Sequence, residues 1–396
     1  MYDLLIIGGG PAGYRAAETA AQTGLSTVLF EQATLGGVCL NEGCIPSKTL
    51  LNSTKILDYI KDGAAFGIRA EQVGLDMPAL IARKRKIVRQ LTTGVKSSVQ
   101  AAGAEIVGQS AEIQSVSSGI MQVTAGDQTY QGRRLLIAAG SEILLPPIPG
   151  LDEALASGSA ITSREALELE SIPERMVVIG AGVIGLELAG FYRSAGTEIE
   201  VVELTDHIGG NMDRETAAAL RKQYERKGIR FHLSTKVTRV NAGRVLVEGP
   251  GGESVLEAPL LLLAAGRKPR VEGYGLERSG IHIDRGRIVT DARCLTNIPG
   301  VYAAGDVNGV WMLAHAAYRE AETAVAHMLG KDMRMRYDAV PSVVYTHPEV
   351  ASVGLTEEQC ASRPGGVKKA VVPMGVSGRF LAETNRETGF CKVLAD

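Results

Sequence analysis

Asp3-Leu-Leu-Ile-Ile-Gly8-Gly-Gly10-Pro11-Ala-Gly13 is the stretch on which the fold turns. Four apolar residues run straight into glycines, and an Ala-rich stretch reaches to about Thr23, so the segment predicts a strand, a tight turn and a helix. Each glycine has a mechanical reason: Gly8 permits the turn, Gly10 lets the backbone touch a pyrophosphate, and Gly13 lets helix and strand pack closely. The helix N-terminus supplies the anion site. A second apolar run, Ser26 to Phe30, ends on Glu31, whose carboxylate can hold ribose hydroxyls. A glycine triplet alone is also compatible with a mere turn. Strand before, helix after and acid beyond make it a dinucleotide-binding unit.

The constellation returns at Met176-Val-Val-Ile-Gly180-Ala-Gly182-Val183-Ile184-Gly185, followed by a helical stretch and by Ile199-Glu-Val-Val-Glu203. Gly8 to Glu31 and Gly180 to Glu203 are both 23 residues, while the copies lie 172 residues apart, so these are two nucleotide units and not a solenoid. Leu204-Thr-Asp-His207 follows Glu203 with no Arg or Lys to meet a 2′-phosphate, and the second site is expected to prefer NAD over NADP. Between the copies, Arg133-Arg-Leu-Leu-Ile-Ala-Ala139-Gly140-Ser141 predicts a strand ending in small residues. Pro146-Pro147 and Pro149-Gly150 then mark a crossover, with a boundary near 148. Leu260-Leu-Leu-Leu-Ala-Ala-Gly266-Arg267 repeats the strand-then-small pattern, and Thr296-Asn-Ile-Pro-Gly-Val-Tyr-Ala-Ala-Gly305-Asp306 predicts a return of the chain to its first domain.

The composition agrees. At 396 residues, and roughly 100–200 residues per domain, two to three domains are expected. Lys+Arg number 42 against 44 Asp+Glu, a net charge of −2, so no basic field draws nucleic acid or an anionic membrane. The apolar run Ala258 to Ala265 is far short of the roughly 18 residues of a membrane span. Glycine is abundant at 47 and aromatics are sparse at 5%, which suits tight turns and close backbone approaches. The first strand begins at about Asp3 with no room for a targeting segment, so a cytoplasmic location is expected.

Five cysteines are scattered over the chain, unlike the dense even framework of a small secreted domain. Cys294, Cys360 and Cys391 read as ordinary buried thiols. The close pair lies in Gly36-Gly37-Val38-Cys39-Leu-Asn-Glu-Gly-Cys44-Ile-Pro-Ser-Lys48. A bridge across so short a loop removes little chain entropy, so stability is a poor reason for it. If Cys44 opens a helix, the helix N-terminus and Lys48 one turn on favour its thiolate. The pair could then cycle between disulfide and dithiol. Zinc is the competing reading, but a lone pair lacks two further ligands, and no metal is expected.

Gly8-x-Gly10-x-x-Gly13, Gly-Gly-x-Cys-x4-Cys-Ile-Pro-Ser-Lys, Gly180-x-Gly182-x-x-Gly185 and Thr296…Gly305-Asp306 stand in the order and spacing of the flavin disulfide reductases, which the chain resembles over essentially its whole length. Cys-Ile-Pro-Ser-Lys and Glu203 resemble the dihydrolipoamide dehydrogenase branch more than the NADP-using glutathione branch, with mercuric reductase as another relative to weigh. The resemblance implies an α/β fold of two Rossmann-like, three-layer ββα domains plus an incomplete α+β interface domain. It implies FAD bound by residues 1–148 and 272–336, NAD by 149–271, and an incomplete dimerisation or interface domain over 337–396. It further implies a reaction in which electrons pass from dihydrolipoamide, carried by a lipoyl domain of a 2-oxo acid dehydrogenase complex, through the disulfide and FAD to NAD. Cys44 would be the thiolate against the flavin and Cys39 the outer, exchanging thiol. Lys48 would lie near the flavin and pair with Glu187, which also falls near the nicotinamide; a plain surface ion pair is the alternative. Asp306 would hold the ribityl chain. Further cofactor contacts are implied at Pro11, Gly37, Val38, Ala111, Ala139, Gly140, Ser141, Val183, Ile184, Val237, Gly266, Leu313, Ala314 and His315.

Six histidines remain to be placed. The resemblance sets His315 beside the flavin through its backbone. His347 in Tyr345-Thr-His-Pro-Glu349 suggests a His-Glu dyad, yet the intervening proline and the family pattern make it structural. His207, His232, His282 and His327 show no partners in the sequence and read as surface or satisfied core residues. In the family the interface domain makes a homodimer and delivers a His with a nearby Glu as acid/base. No such His-Pro-Thr-type segment follows Gly389-Phe-Cys-Lys-Val-Leu before Asp396. The chain is therefore read as a fragment or a natural truncation lacking the base, with a weakened or altered dimer. NADH diaphorase activity alone is the alternative activity.

Overall fold

Leu4–Ile7 lies within a five-stranded parallel sheet ordered Val301–Ala303, Leu135–Ile137, Leu4–Ile7, Thr27–Phe30, Glu105–Val107. This is a computed structural model, describing residues 1–396 apart from Ser118, Ala242, Ser362, Pro364, Gly365, Arg386 and Glu387. The chain divides into two compact units. The first comprises Met1–Pro46, Lys84–Leu144 and Arg267–Val340; the second comprises Ser47–Arg83, Leu145–Gly266 and Pro341–Asp396.

In the first unit the strands read as unbroken apolar runs because both faces of the sheet are covered. Leu4, Ile6 and Leu136 face a cluster with Ala16, Ala17 and Ala20 of helix Pro11–Gln22 and Ala321 and Ala324 of helix Ala314–Met328. Leu5, Ile7 and Leu135 face the other way, toward Ile113, Met121 and Val123. Those last residues belong to a three-stranded antiparallel sheet, Ala111–Ser117, Ile120–Ala125 and Gln128–Gly132. Helices, parallel sheet and antiparallel sheet make the three layers. The late strand Val301–Ala303 pairs with Leu135–Ile137, so the chain does return to the sheet it began.

The second unit repeats the plan. Its parallel order is Arg230–His232, Glu198–Val202, Arg175–Ile179, Leu260–Leu263, Ala160–Thr162, and its antiparallel sheet is Lys236–Asn241, Arg244–Gly249, Gly252–Glu257. Helix Val183–Ala195 buries Leu186, Ala189, Phe191 and Tyr192 against Met176 and Val178. Leu50 of helix Cys44–Lys61, and Met77 and Ile81 of helix Met77–Ala101, join that core. Their packing groups residues 47–83 with the second unit.

From Tyr337 the chain forms short α+β elements: hairpin Ser342–Val344/Val350–Ser352, helices Glu357–Cys360 and Gly378–Glu383, and the antiparallel pair Lys368–Pro373/Phe390–Ala395. Strand Phe390–Ala395 alternates between half-buried and exposed positions, and Cys391 falls on the exposed side. It is not the buried thiol expected, because strand periodicity and not residue type decides which face it takes. Cys294 and Cys360 are buried. No helix among the described residues is long and apolar enough to cross a membrane.

Candidate active site

The two glycine loops share one geometry. Gly8 and Gly180 have φ of +102° and +101°, the left-handed region that a side chain disfavours. A Cβ on Gly13 would stand 1.7 Å from the Gly8 carbonyl oxygen, and one on Gly185 2.0 Å from that of Gly180. These four are glycines because the protein's own backbone requires it. The middle pair differs. Gly10 and Gly182 have φ of −74° and −72°, open to any residue. A Cβ on Gly10 would meet nothing nearer than 3.8 Å, and on Gly182 nothing within 4 Å. Room is thus kept at the N-termini of helices Pro11–Gln22 and Val183–Ala195, where backbone N–H groups and the helix dipole favour a phosphate. The residues fit a dinucleotide in each unit.

The two acids are placed alike. Glu31 accepts from the Gly9 N–H at 2.7 Å and the Ala33 N–H at 2.8 Å. Glu203 accepts from the Ala181 N–H at 2.8 Å and from the Thr205 N–H and hydroxyl at 2.9 Å. Each carboxylate is fixed at the rim of its glycine loop by the residue after the first glycine.

In the first unit Cys39, on helix Gly37–Glu42, is bonded to Cys44, with Cα atoms 4.6 Å apart. Cys44 is the first residue of helix Cys44–Lys61, as the sequence reading required. Gly37, at φ +56°, lies so close to the first glycine loop that a Cβ would come 2.6 Å from the Gly10 Cα. The redox segment and the nucleotide loop, separate motifs in the sequence, are neighbours in space. The Asp306 turn joins them: a Cβ on Gly305 would meet the Ala12 Cβ at 3.2 Å. The Ser141 hydroxyl donates to Asp306 Oδ2 at 2.5 Å, and Arg267 donates to Ser141 Oγ at 2.8 Å and to its carbonyl at 2.9 Å. Burial pushes the Asp306 carboxyl up, against the pull of Ser141 and Arg267. Ala111, Ala139, Gly140 and Leu313 to His315 also lie in this unit.

In the second unit Lys48 Nζ stands 3.1 Å from both oxygens of Glu187, whose side chain is only 6% exposed against 33% for Lys48. Burial of the carboxylate separates this pair from a plain surface bridge. Tyr345 completes it: its N–H donates to Glu187 Oε1 at 3.0 Å, and Lys48 Nζ lies 4.3 Å from its ring centroid. Sequence reasoning passed over Tyr345 while weighing its neighbour His347, and passed over Arg267 beside Gly266. A C-terminal aromatic and an arginine after a glycine are faint signals.

The cavity next to Glu203, of about 340 Å³, is lined also by Thr205, His207, Arg214 and Glu358. The four residues after Glu203 lack a cation, as read from the sequence, but helix Arg214–Arg226 delivers Arg214 to the cavity lining. Three of the histidines without visible partners in the sequence are satisfied by side chains in the fold. His207 meets Asp206 at 2.8 Å, His232 meets Glu200 at 2.8 Å and His327 meets the Tyr302 hydroxyl at 3.0 Å. Two of these partners lie 25 or more residues away, out of reach of local pattern. Glu349 pairs with Lys55 at 3.1 Å, and the His347 ring stands edge-on to Tyr59.

Residues 2–321 match the family described as pyridine nucleotide-disulphide oxidoreductase, and residues 340–396 match its dimerisation domain. A mitochondrial dihydrolipoyl dehydrogenase 1 of Arabidopsis thaliana is 39% identical over all of this chain and 79% of its own. A mitochondrial dihydrolipoyl dehydrogenase of Caenorhabditis elegans is 41% identical over all of this chain and 81% of its own. The crystal structure of LpdA from Mycobacterium tuberculosis superposes with a TM-score of 0.88 at 26% identity, covering 99% of this chain and 86% of LpdA. The dimerisation-domain match fits a homodimer. Glycine loops, redox disulfide and whole-length similarity agree, and the chain belongs to the pyridine nucleotide-disulphide oxidoreductases, enzymes that work with FAD and NAD(H).

Proposed function

We propose that this chain is a dihydrolipoyl dehydrogenase, oxidising a dihydrolipoyl dithiol with NAD as acceptor. The observation that carries the reading is the Cys39–Cys44 disulfide set at a helix start against the first glycine loop. Gly8, Gly10, Pro11, Gly13, Glu31, Gly37, Val38, Ser141 and Asp306 would hold FAD, within a domain of residues 1–148 and 272–336. Gly180, Gly182, Gly185, Glu203, Val237 and Gly266 would hold NAD, within residues 149–271. When bound, FAD supplies a two-electron relay between the cysteine pair and the nicotinamide.

One substrate thiolate attacks Cys39 Sγ, and the Cys39–Cys44 bond breaks with Cys44 leaving as thiolate. The second substrate thiol then displaces Cys39, closing the lipoyl disulfide. The cysteine pair is left reduced by two electrons, which NAD finally takes with one proton released. The N-terminus of helix Cys44–Lys61 lowers the cost of the Cys44 thiolate, making it the better leaving group. Lys48, held by Glu187 and Tyr345, contributes a fixed positive charge one turn along. The acceptor side would prefer NAD, since Glu203 repels a 2′-phosphate.

A lipoyl domain of a 2-oxo acid dehydrogenase complex would be the partner, in the cytoplasm. The test compares NAD-dependent oxidation of dihydrolipoamide with NADH-dependent reduction of a dye. Cys44→Ser should abolish the first and spare much of the second. Retained lipoamide turnover in that variant, or a wild-type preference for glutathione disulfide or Hg(II), would overturn the reading.

A further inference from the structure

We propose that Asp206 is a specificity-determining residue of the second nucleotide site, excluding 2′-phosphorylated dinucleotides by occupying the guanidinium of Arg214. The inference rests on the NAD preference proposed above and supplies a second cause for it.

Among the described residues, Arg214 is the one Lys or Arg lining the cavity beside Glu203. Its two terminal nitrogens reach both oxygens of Asp206, at 2.8 and 3.3 Å, and its backbone N–H donates to Glu358 at 3.3 Å. A guanidinium fork engaged end-on in this way is the donor pair a phosphate would need, and Asp206 already occupies it. A chain of contacts leads back to the ribose-binding acid. Asp206 takes His207 Nδ1 at 2.8 Å, and the Thr205 hydroxyl bridges the His207 carbonyl and Glu203, each at 2.9 Å. Asp206 holds the guanidinium, while Glu203 and Glu358 line the same cavity and add negative charge to it. The Arg214 and His207 contacts hold the Asp206 carboxyl below the usual carboxylate range, at about 2. Both members of the pair are more than half exposed, at 58% and 54%, and such a pair contributes little to folding. Its place at the cavity gives it a role that stability does not.

Asp206→Asn removes the charge and releases the fork; Asp206→Ser does so with a smaller side chain. The test titrates FAD-loaded full-length protein with 5′-ADP and with 2′,5′-ADP, the adenosine halves without and with the 2′-phosphate, by calorimetry. The ratio of their Kd values should shift toward 2′,5′-ADP by tenfold or more in either Asp206 variant. The gain should shrink in high salt and disappear when Arg214→Ala is added. An unchanged ratio in folded Asp206→Asn and Asp206→Ser, or a gain that survives without Arg214, overturns the proposal. Tight 2′,5′-ADP binding by the wild type would instead overturn the NAD preference itself, a separate outcome read from a separate titration.

Discussion

Tyr345 and Asp306 show what single residues add to motifs that name only their neighbours. Tyr345 holds Glu187 through its backbone and Lys48 through its ring, so a substitution can separate the two. Tyr345→Phe keeps both contacts, whereas Tyr345→Leu keeps the N–H and loses the ring face. A cation–π contact is worth about 1 kcal/mol, roughly fivefold in rate if it matters fully in the transition state. Lipoamide turnover should therefore fall about fivefold in Tyr345→Leu and stay near wild type in Tyr345→Phe; equal rates in both would remove the ring from the mechanism. Asp306 makes a different prediction because burial raises its carboxyl above the usual 3.8. A group so raised adds stability that is whole below its unfolded value and is lost as pH rises through the folded one. Above that folded value the ionised carboxylate weakens the cofactor-free chain, and Asp306→Asn should raise its melting temperature at pH 7.5. The melting-temperature gain should vanish toward pH 4, and FAD should bind the variant more weakly. A lower melting temperature at pH 7.5 would mean that Ser141 and Arg267 outweigh burial.

At the scale of elements, the glycine loops were legible because their chemistry is local. Four apolar residues, a turn and a helix start are contiguous, and sheets covered on both faces leave unbroken apolar runs such as Leu4–Ile7 and Leu260–Leu263. Asp206, Arg214 and Glu358 were not legible as a group, since they meet only after helices Arg214–Arg226 and Glu357–Cys360 have docked. Nor was the split allegiance of helix Cys44–Lys61, whose Cys44 belongs to one unit while Leu50 packs into the core of the other. Identical letters in one loop also hide unequal reasons. Gly185→Ala sets a Cβ 2.0 Å from the Gly180 carbonyl and should cost about 2–3 kcal/mol, an overpacking penalty, in urea unfolding. Gly182→Ala meets only open space at a relaxed φ and should unfold with the wild-type midpoint or slightly above it. It should nonetheless weaken 5′-ADP binding at least tenfold by filling the space meant for a phosphate. Similar loss of stability in both variants would contradict the division.

For the whole molecule, one buried cation ties the last strand of the C-terminal segment to the second nucleotide fold. Lys392 Nζ, its side chain 7% exposed, stands 2.6 Å from Asp213, 2.8 Å from Glu357 and 3.1 Å from Glu215. Asp213 also caps helix Arg214–Arg226 and accepts from the Glu357 N–H at 3.1 Å. Burial alone would lower the Lys392 ammonium, yet the three carboxylates outweigh it and push it up. The cluster exerts the opposite pull on Glu215 and Glu357, which Lys369 and Lys392 hold below the usual 4.5. Their contribution is therefore present above that value and lost as pH falls through the lowered one. Lys392→Met should leave the carboxylates facing one another with only Lys369 between them, and lower the melting temperature of the second unit by roughly 5 °C. The loss should shrink below pH 4, where the carboxyls are neutral in both proteins. Trp311, the single tryptophan, lies in the first unit and gives an internal reference. Far-ultraviolet circular dichroism should report an early transition in the variant while Trp311 fluorescence keeps its midpoint, if the two units melt separately. An unshifted dichroism midpoint at neutral pH would show that the hairpin is held by its apolar contacts and not by Lys392.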